Sequence, residues 1–162
     1  MGTTFRRKQN RLPLEAYRGP GAYLLTLRCA AGATPSRPPR SLRRVYRLFG
    51  RLRTSAEKHN VHVVAYCFMP DHLHLLLEGT GESFIPDFVH DFKQKTGFMY
   101  QRAHSRTLWQ KSYHDRVLRK EESLHDAARY IVANPVRKGL AARPEQYPYS
   151  GSFIVGEAIM EA

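Results

Sequence analysis

Residues 61–77, VHVVAYCFMPDHLHLLL, decide the fold. Two runs of β-prone residues, 61–69 and 73–77, flank Pro70 and Asp71. Proline brings no amide donor to a ladder and aspartate favours turns, so the segment predicts two antiparallel strands joined by a tight turn. Upstream, AYLLTLR at 22–28 follows a Gly19-Pro20-Gly21 turn and predicts a first strand. Between them lies TPSRPPR at 34–40, a proline-rich loop. From Ser41, a plausible N-cap, Leu42, Val45, Tyr46, Phe49, Leu52 and Ala56 recur every three or four residues, which predicts a helix ending near Asn60 with arginines on its other faces. Downstream, Ser83 opens a second helix with the apolar face Ile85, Phe88, Val89, Phe92, Thr96 and Met99, and Pro86 sits in its first turn. Residues 113–119 read as another strand. Ser123 and Asp126 cap a third helix over 124–134 that Pro135 stops. The order βαββαβα predicts an α+β sandwich, an antiparallel sheet with helices packed on one face, rather than a doubly wound fold.

A chain of 162 residues with 42% hydrophobic content supports one domain over 1–162 with its own core. Its basic N-terminal arm is expected over about residues 1–20 and an irregular tail over about 140–162. Cys29 and Cys67 stand alone in apolar runs without CxxC spacing, which excludes a disulfide scaffold or zinc ribbon and reads as two buried thiols. No run approaches the ~18 apolar residues of a membrane span, and the basic start lacks the apolar segment of a signal peptide. A soluble, cytoplasmic protein with no membrane partner is expected.

The formal charge is +12, and its placement is informative. Residues 1–60 carry 14 of the 26 basic residues against only Glu15 and Glu57, while 61–162 are balanced. Arg6, Arg7, Lys8, Arg11 and Arg18 form the arm; Arg37, Arg40, Arg43, Arg44, Arg47, Arg51 and Arg53 form a second cluster. Arginine predominates, as suits bidentate contact with phosphate oxygens. A solvated helix face would need acidic partners that this stretch lacks, so nucleic acid is the expected partner.

His72 and His74 are separated by one residue within a strand, so both imidazoles leave one face with Cα atoms about 7 Å apart. That spacing suits one shared metal ion; packing or surface histidines are the competing reading. On the third helix Tyr130 and Asn134 lie one turn apart. Asn134 can offer a neutral carbonyl oxygen to the metal, and Tyr130 a phenol beside it, unless Tyr130 is merely amphipathic and Asn134 a C-cap.

The strings MPDHLHLLL at 69–77, Leu108-Trp109-Gln110, Arg129-Tyr130-Ile131, Asn134-Pro135-Val136-Arg137 and Gly139-Leu140 together resemble the REP-associated tyrosine transposases, which belong to the single-tyrosine HUH nucleases. The resemblance runs over nearly the whole chain. It implies an HUH-type, ferredoxin-like α/β sandwich. It also implies that His72 and His74 are metal ligands, Asn134 completes the site and Tyr130 is the covalent nucleophile. Asp71 stands where family members commonly have asparagine and is a turn residue or a modifier of metal preference.

An ordinary tyrosine, with pKa near 10, is only about 0.1% phenolate at pH 7, so attack on a phosphodiester needs help, part of which a divalent ion can supply. Two imidazoles and a carboxamide suit Mn²⁺ better than Mg²⁺, although abundance favours Mg²⁺, and zinc is a further candidate. The resemblance implies a 5′-phosphotyrosine intermediate and a substrate of single-stranded DNA next to a REP-like hairpin. Arg43, Arg44, Arg47 and Arg51 are candidate phosphate contacts, with Tyr46 and Trp109 as stacking surfaces that have rival places in the core. Lys111, His114 and Arg116 are candidates to line the site. The competing classes are a non-catalytic basic nucleic-acid-binding module and a metal-dependent nuclease that uses water.

Overall fold

The computed structural model describes residues 13–33 and 41–151, with side chains in the first helix from Val45 onward. The strands are β1 (Gly21–Arg28), β2 (Val61–Phe68), β3 (His72–Gly79), β4 (His114–Val117) and β5 (Ser150–Gly151). The helices are α1 (Ser41–Lys58), α2 (Ile85–His104), α3 (Leu124–Val132) and α4 (Asn134–Arg137), and short 3-10 turns cover Leu14–Tyr17 and Pro144–Gln146. The strands form one antiparallel sheet in the order β4-β1-β3-β2-β5, the expected α+β class.

Pro70 and Asp71 make the predicted turn, which Met69 closes by donating its amide to the His72 carbonyl at 2.8 Å. β3 consequently lies in the middle of the sheet between β1 and β2. Its leucines 73, 75, 76 and 77 are fully buried, each worth about 1.5–3 kcal/mol of transfer free energy. The register sorts side chains by face. His72 and His74 share a face with their cross-strand partners Arg28 and Thr26, with Cys67, and, one strand further, with His114 opposite Thr26. Leu73, Leu75 and Leu77 share the other face with Leu27, Leu25 and Tyr23.

The two faces carry different helices, which corrects the expectation of one helical layer. α1 covers the leucine face, where the Phe49 ring meets the Tyr66 ring edge-on at 4.9 Å. α2 packs beside it through Asp91, which accepts from Ser55 and Lys58 of α1 at 2.7 and 2.8 Å. α3 covers the histidine face, where Tyr130 and Ile131 line a groove with Leu24, Thr26 and His74. A hydrophobic pattern shows that a helix buries one stripe but not which side of the sheet receives it.

Other local readings shift. Leu48 is buried on α1, whereas Tyr46 points outward with 67% of its surface exposed. The capping role of Ser41 lies outside the described side chains. Ser83 does not cap α2; its hydroxyl donates to the Gly19 carbonyl, and Phe84 precedes the helix. That contact sits where the chain before β1 passes the end of β3: a Cβ on Gly79 would lie 2.5 Å from the Gly19 oxygen, so only glycine fits. Residues 13–20 are not a free arm, since Tyr17 is 1% exposed and its hydroxyl donates to Asp115. The tail is only partly irregular. Tyr147 donates to the Phe68 carbonyl at 2.7 Å, and β5 pairs with β2 at Tyr66 and Cys67.

Pro135 does not simply stop the third helix. Ser123 caps α3 as expected, accepting from the Asp126 amide at 3.3 Å. The helix ends at Val132, and the chain restarts as α4 with proline in the first turn, where its missing amide costs nothing. Arg137 N then bonds to Ala133 O at 3.2 Å and resumes the ladder.

Candidate functional site

The imidazoles of His72 and His74 converge, with their Nε2 atoms 3.0 Å apart and their rings nearly perpendicular. Each outer nitrogen is held. His72 Nδ1 lies 2.6 Å from Asp71 Oδ1, and His74 Nδ1 lies 3.0 Å from Thr26 Oγ1. The carboxylate can only accept, so it holds a proton on His72 Nδ1. Thr26 can donate or accept, so His74 can take either neutral tautomer. Burial, then the nearby His72 and Arg137, pull the His74 pKa down to about 4 against the opposing charge of Asp71. His74 is therefore a neutral imidazole at physiological pH.

These histidines fit a divalent ion. Two nitrogens in adjacent octahedral positions, each about 2.1 Å from a metal, stand about 3.0 Å apart, and that is the separation here. The anchoring of each ring from outside is the usual support of metal-binding histidines. Among the described residues no group of three His, Cys, Asp or Glu converges on such a site, so the completing donor has to be of another type.

Asn134 is that candidate, and its carboxamide is otherwise engaged. Oδ1 accepts from Arg137 Nη2 at 3.0 Å, while Nδ2 is buried with no partner among the described residues. Tyr130 is 60% exposed on α3 and lines the groove that contains His74. Arg137 joins them. Its guanidinium lies over the Tyr130 ring, with Cζ 3.9 Å from the centroid, and Nη2 also donates to the Tyr130 carbonyl at 3.0 Å. Arg137 belongs to the quoted motif but carried no assigned role. Its spacing, three residues after Asn134 and seven after Tyr130, was the available signal, hidden by the assumption that Pro135 ends the helix.

The groove, of about 690 Å³, also contains His114, Asp115, Arg116, Glu121, Glu122 and Asp126. His114 and Arg116 thus line the site as expected, although Arg116 is paired with Glu122. Asp71 reaches the site through His72. Lys111 does not line it; it belongs to a separate groove beside α2, where its carbonyl accepts from Lys93. Trp109 is corrected from a stacking surface to a core residue: it is 6% exposed, donates to Thr96 at 2.8 Å and packs on Phe92. Tyr46 is exposed, as stacking requires. Arg47 and Arg51 line a shallow groove on α1 with Met99 of α2, across the sheet from the histidines. Arg6, Arg7, Lys8 and Arg11, and the side chains of Arg43 and Arg44, lie outside the described residues.

The family described as Transposase IS200 like matches residues 44–134, more than half of the chain, from α1 through both histidines and Tyr130 to Asn134. The chain belongs to the IS200-like transposases. A Haemophilus influenzae protein assigned as a REP-associated tyrosine transposase is 22% identical to this transposase over 114 residues, covering 59% of this chain and 61% of that protein. The match thus spans less than two thirds of that relative's length. A REP-associated tyrosine transposase solved bound to a REP hairpin shares the fold at a TM-score of 0.70 and 15% identity, over 86% of this chain and 81% of that one. A protein of Deinococcus radiodurans R1 assigned as a transposase matches at a TM-score of 0.52 and 20% identity, over 84% and 98% of the two chains. The resemblance carried by the histidine and tyrosine motifs agrees with all three comparisons.

Proposed function

We propose that this transposase is a metal-dependent endonuclease and strand transferase that cuts single-stranded DNA beside a hairpin through a 5′-phosphotyrosine on Tyr130. The observation that carries the reading is the exposed Tyr130 phenol in one groove with His74, whose Nε2 meets that of His72 at 3.0 Å. An exposed tyrosine beside two inward-facing, externally anchored imidazoles has little value for packing. It places a nucleophile next to a site for a Lewis acid.

His72 and His74 would hold the ion, Mn²⁺ or Mg²⁺, with Asn134 Oδ1 as the candidate third donor. When bound, the ion would supply charge neutralisation and orientation of the scissile phosphate. Tyr130 Oη forms a bond to phosphorus as the bond from phosphorus to the 3′-oxygen breaks. The phenol gives up one proton and the departing 3′-oxygen takes one, so none is consumed overall. The reverse attack by another 3′-hydroxyl rejoins strands without ATP. Hairpin DNA of the REP type follows from the relatives' names, and the basic first third of the chain fits a phosphate backbone.

The test is incubation with Mn²⁺ and labelled hairpin oligonucleotides bearing single-stranded flanks. A denaturation-resistant adduct whose peptide maps to α3 is expected. The Tyr130→Phe variant should form none while binding DNA within a few-fold of wild type. An adduct on Tyr100, Tyr113, Tyr147 or Tyr149 would overturn the nucleophile assignment. Cleavage leaving a free 5′-phosphate and no adduct would show a water-using nuclease instead.

A further inference from the structure

Arg137 stands out among the cations for which charge and position are both described. It is exposed, and among the described residues no carboxylate pairs with it, in contrast to Arg53 with Glu57 and Arg116 with Glu122. It is also ordered. Nη2 is fixed by the Tyr130 carbonyl and Asn134 Oδ1, and Cζ lies over the Tyr130 ring. An exposed cation–π contact is weak and does not by itself explain why a cation is held there.

The geometry points to an anion that arrives later. A phenol oxygen lies about 2.8 Å from its ring centre, so a guanidinium carbon 3.9 Å above that centre is about 5 Å from Oη. Nη1 has no acceptor among the described residues. From that position the guanidinium can meet a phosphate approaching Oη in line. Arginine presents its donors as a fork matched to two phosphate oxygens.

We propose that Arg137 is a catalytic residue that clamps the scissile phosphate, donating from Nη1 and Nη2 to its two non-bridging oxygens while Tyr130 attacks. The assignment rests on the nuclease reading above and adds to it the group that carries the second share of phosphate charge. As Tyr130 Oη bonds to phosphorus and the 3′-oxygen leaves, negative charge builds on the non-bridging oxygens, and Arg137 stays protonated throughout. Because both guanidinium forks include Nη2, engaging the phosphate also draws Nη2 from Asn134 Oδ1.

Two measurements test this, using hairpin oligonucleotides with single-stranded flanks. In the first, Tyr130→Phe and the double variant Tyr130→Phe, Arg137→Ala are titrated with DNA at several salt concentrations. Loss of one phosphate contact should reduce the slope of log K against log salt by about 0.7. A role confined to holding α3 and α4 together would leave the slope unchanged, which would overturn the proposal. In the second, adduct formation is timed in a single turnover with Mn²⁺, using a phosphodiester or a neutral methylphosphonate at the position the wild type cuts. Arg137→Ala should slow the phosphodiester reaction by about 10²–10³-fold, and Arg137→Lys by at least about 10-fold. On the methylphosphonate, wild type and Arg137→Ala should differ by no more than a few-fold. Equal losses on both substrates, or an adduct rate in Arg137→Ala equal to wild type, overturns the clamp alone. A wild type that forms no adduct with any hairpin overturns the nuclease reading and the clamp with it.

Discussion

Replacing Asp91 by asparagine should destabilise the protein by about 2–3 kcal/mol at pH 7, and the reason lies between α1 and α2. The Asp91 side chain is 11% exposed and accepts from Ser55 Oγ at 2.7 Å, Lys58 Nζ at 2.8 Å and Lys95 Nζ at 2.7 Å. Burial alone would raise its pKa above the ordinary 3.8, but the hydrogen bonds from Lys58, Lys95 and Ser55 and the charge of Lys95 outweigh it and hold the carboxyl well below the carboxylate range. Removing the charge does not strand two buried ammonium groups, because Lys58 and Lys95 are 58% and 37% exposed and regain water. Ser55 is fully buried and does lose its acceptor unless the amide oxygen replaces it. One weakened buried bond at about 1 kcal/mol and two charge-assisted bonds, discounted for that exposure, give the stated magnitude. The sign of the pH dependence follows. The folded pKa lies below the unfolded one, so the contribution is fully present above about pH 4 and is lost as pH falls through the folded value. Urea denaturation of both proteins from pH 7 down to pH 2 measures this. A difference under about 0.5 kcal/mol at pH 7, or one that fails to shrink below pH 4, would refute the reasoning.

The remaining predictions concern the site and the basic region. His74→Ala should weaken Mn²⁺ binding by more than about 100-fold and Asp71→Ala by about 10–100-fold, the range for an outer partner of a ligating histidine, read by titration calorimetry with the fold checked by circular dichroism. Unchanged affinity in both would make the histidines structural. Removing residues 1–11 takes away Arg6, Arg7, Lys8 and Arg11, so the salt slope for single-stranded DNA should flatten by up to about 3; an unchanged slope would show that the arm does not meet DNA.

The central hairpin was legible because its signals are local. Alternation fixes strand faces, and Pro70 with Asp71 can form only a turn between two such runs. Period two therefore places His72 and His74 on one face, and Tyr130 and Asn134 are joined instead through Arg137 across the break between α3 and α4. The elements that escaped are non-local. β5 has two residues and exists because Tyr147 bonds to Phe68 and Ser150 pairs with Cys67; nothing within YPYSG specifies those partners. Tyr46 and Leu48 are equally compatible with an apolar stripe, and only the packing of α1 on Tyr66 sets the phase that buries Leu48.

Arg137 shows why a site can be legible residue by residue and still be misread as a unit. Treated as a full stop, Pro135 leaves Arg137 in a loop, with no relation to Tyr130. Treated as a first-turn residue, as proline's fixed φ and missing donor equally allow, it lets helical geometry resume and returns Arg137 to the side of Asn134 and Tyr130. The choice depends on whether Asn134 can begin a new turn while still anchored, and burial of Asn134 and Pro135 against the fold decides it. The restart also explains how Tyr130, Asn134 and a cation with no carboxylate partner among the described residues come from eight consecutive residues, whereas the two imidazoles come from a distant strand. Sheet register holds the histidines rigidly through Thr26 and Asp71. The short α4 turn instead ties Asn134 and Tyr130 together through a single nitrogen, Arg137 Nη2, which donates to Asn134 Oδ1 and to the Tyr130 carbonyl at 3.0 Å each.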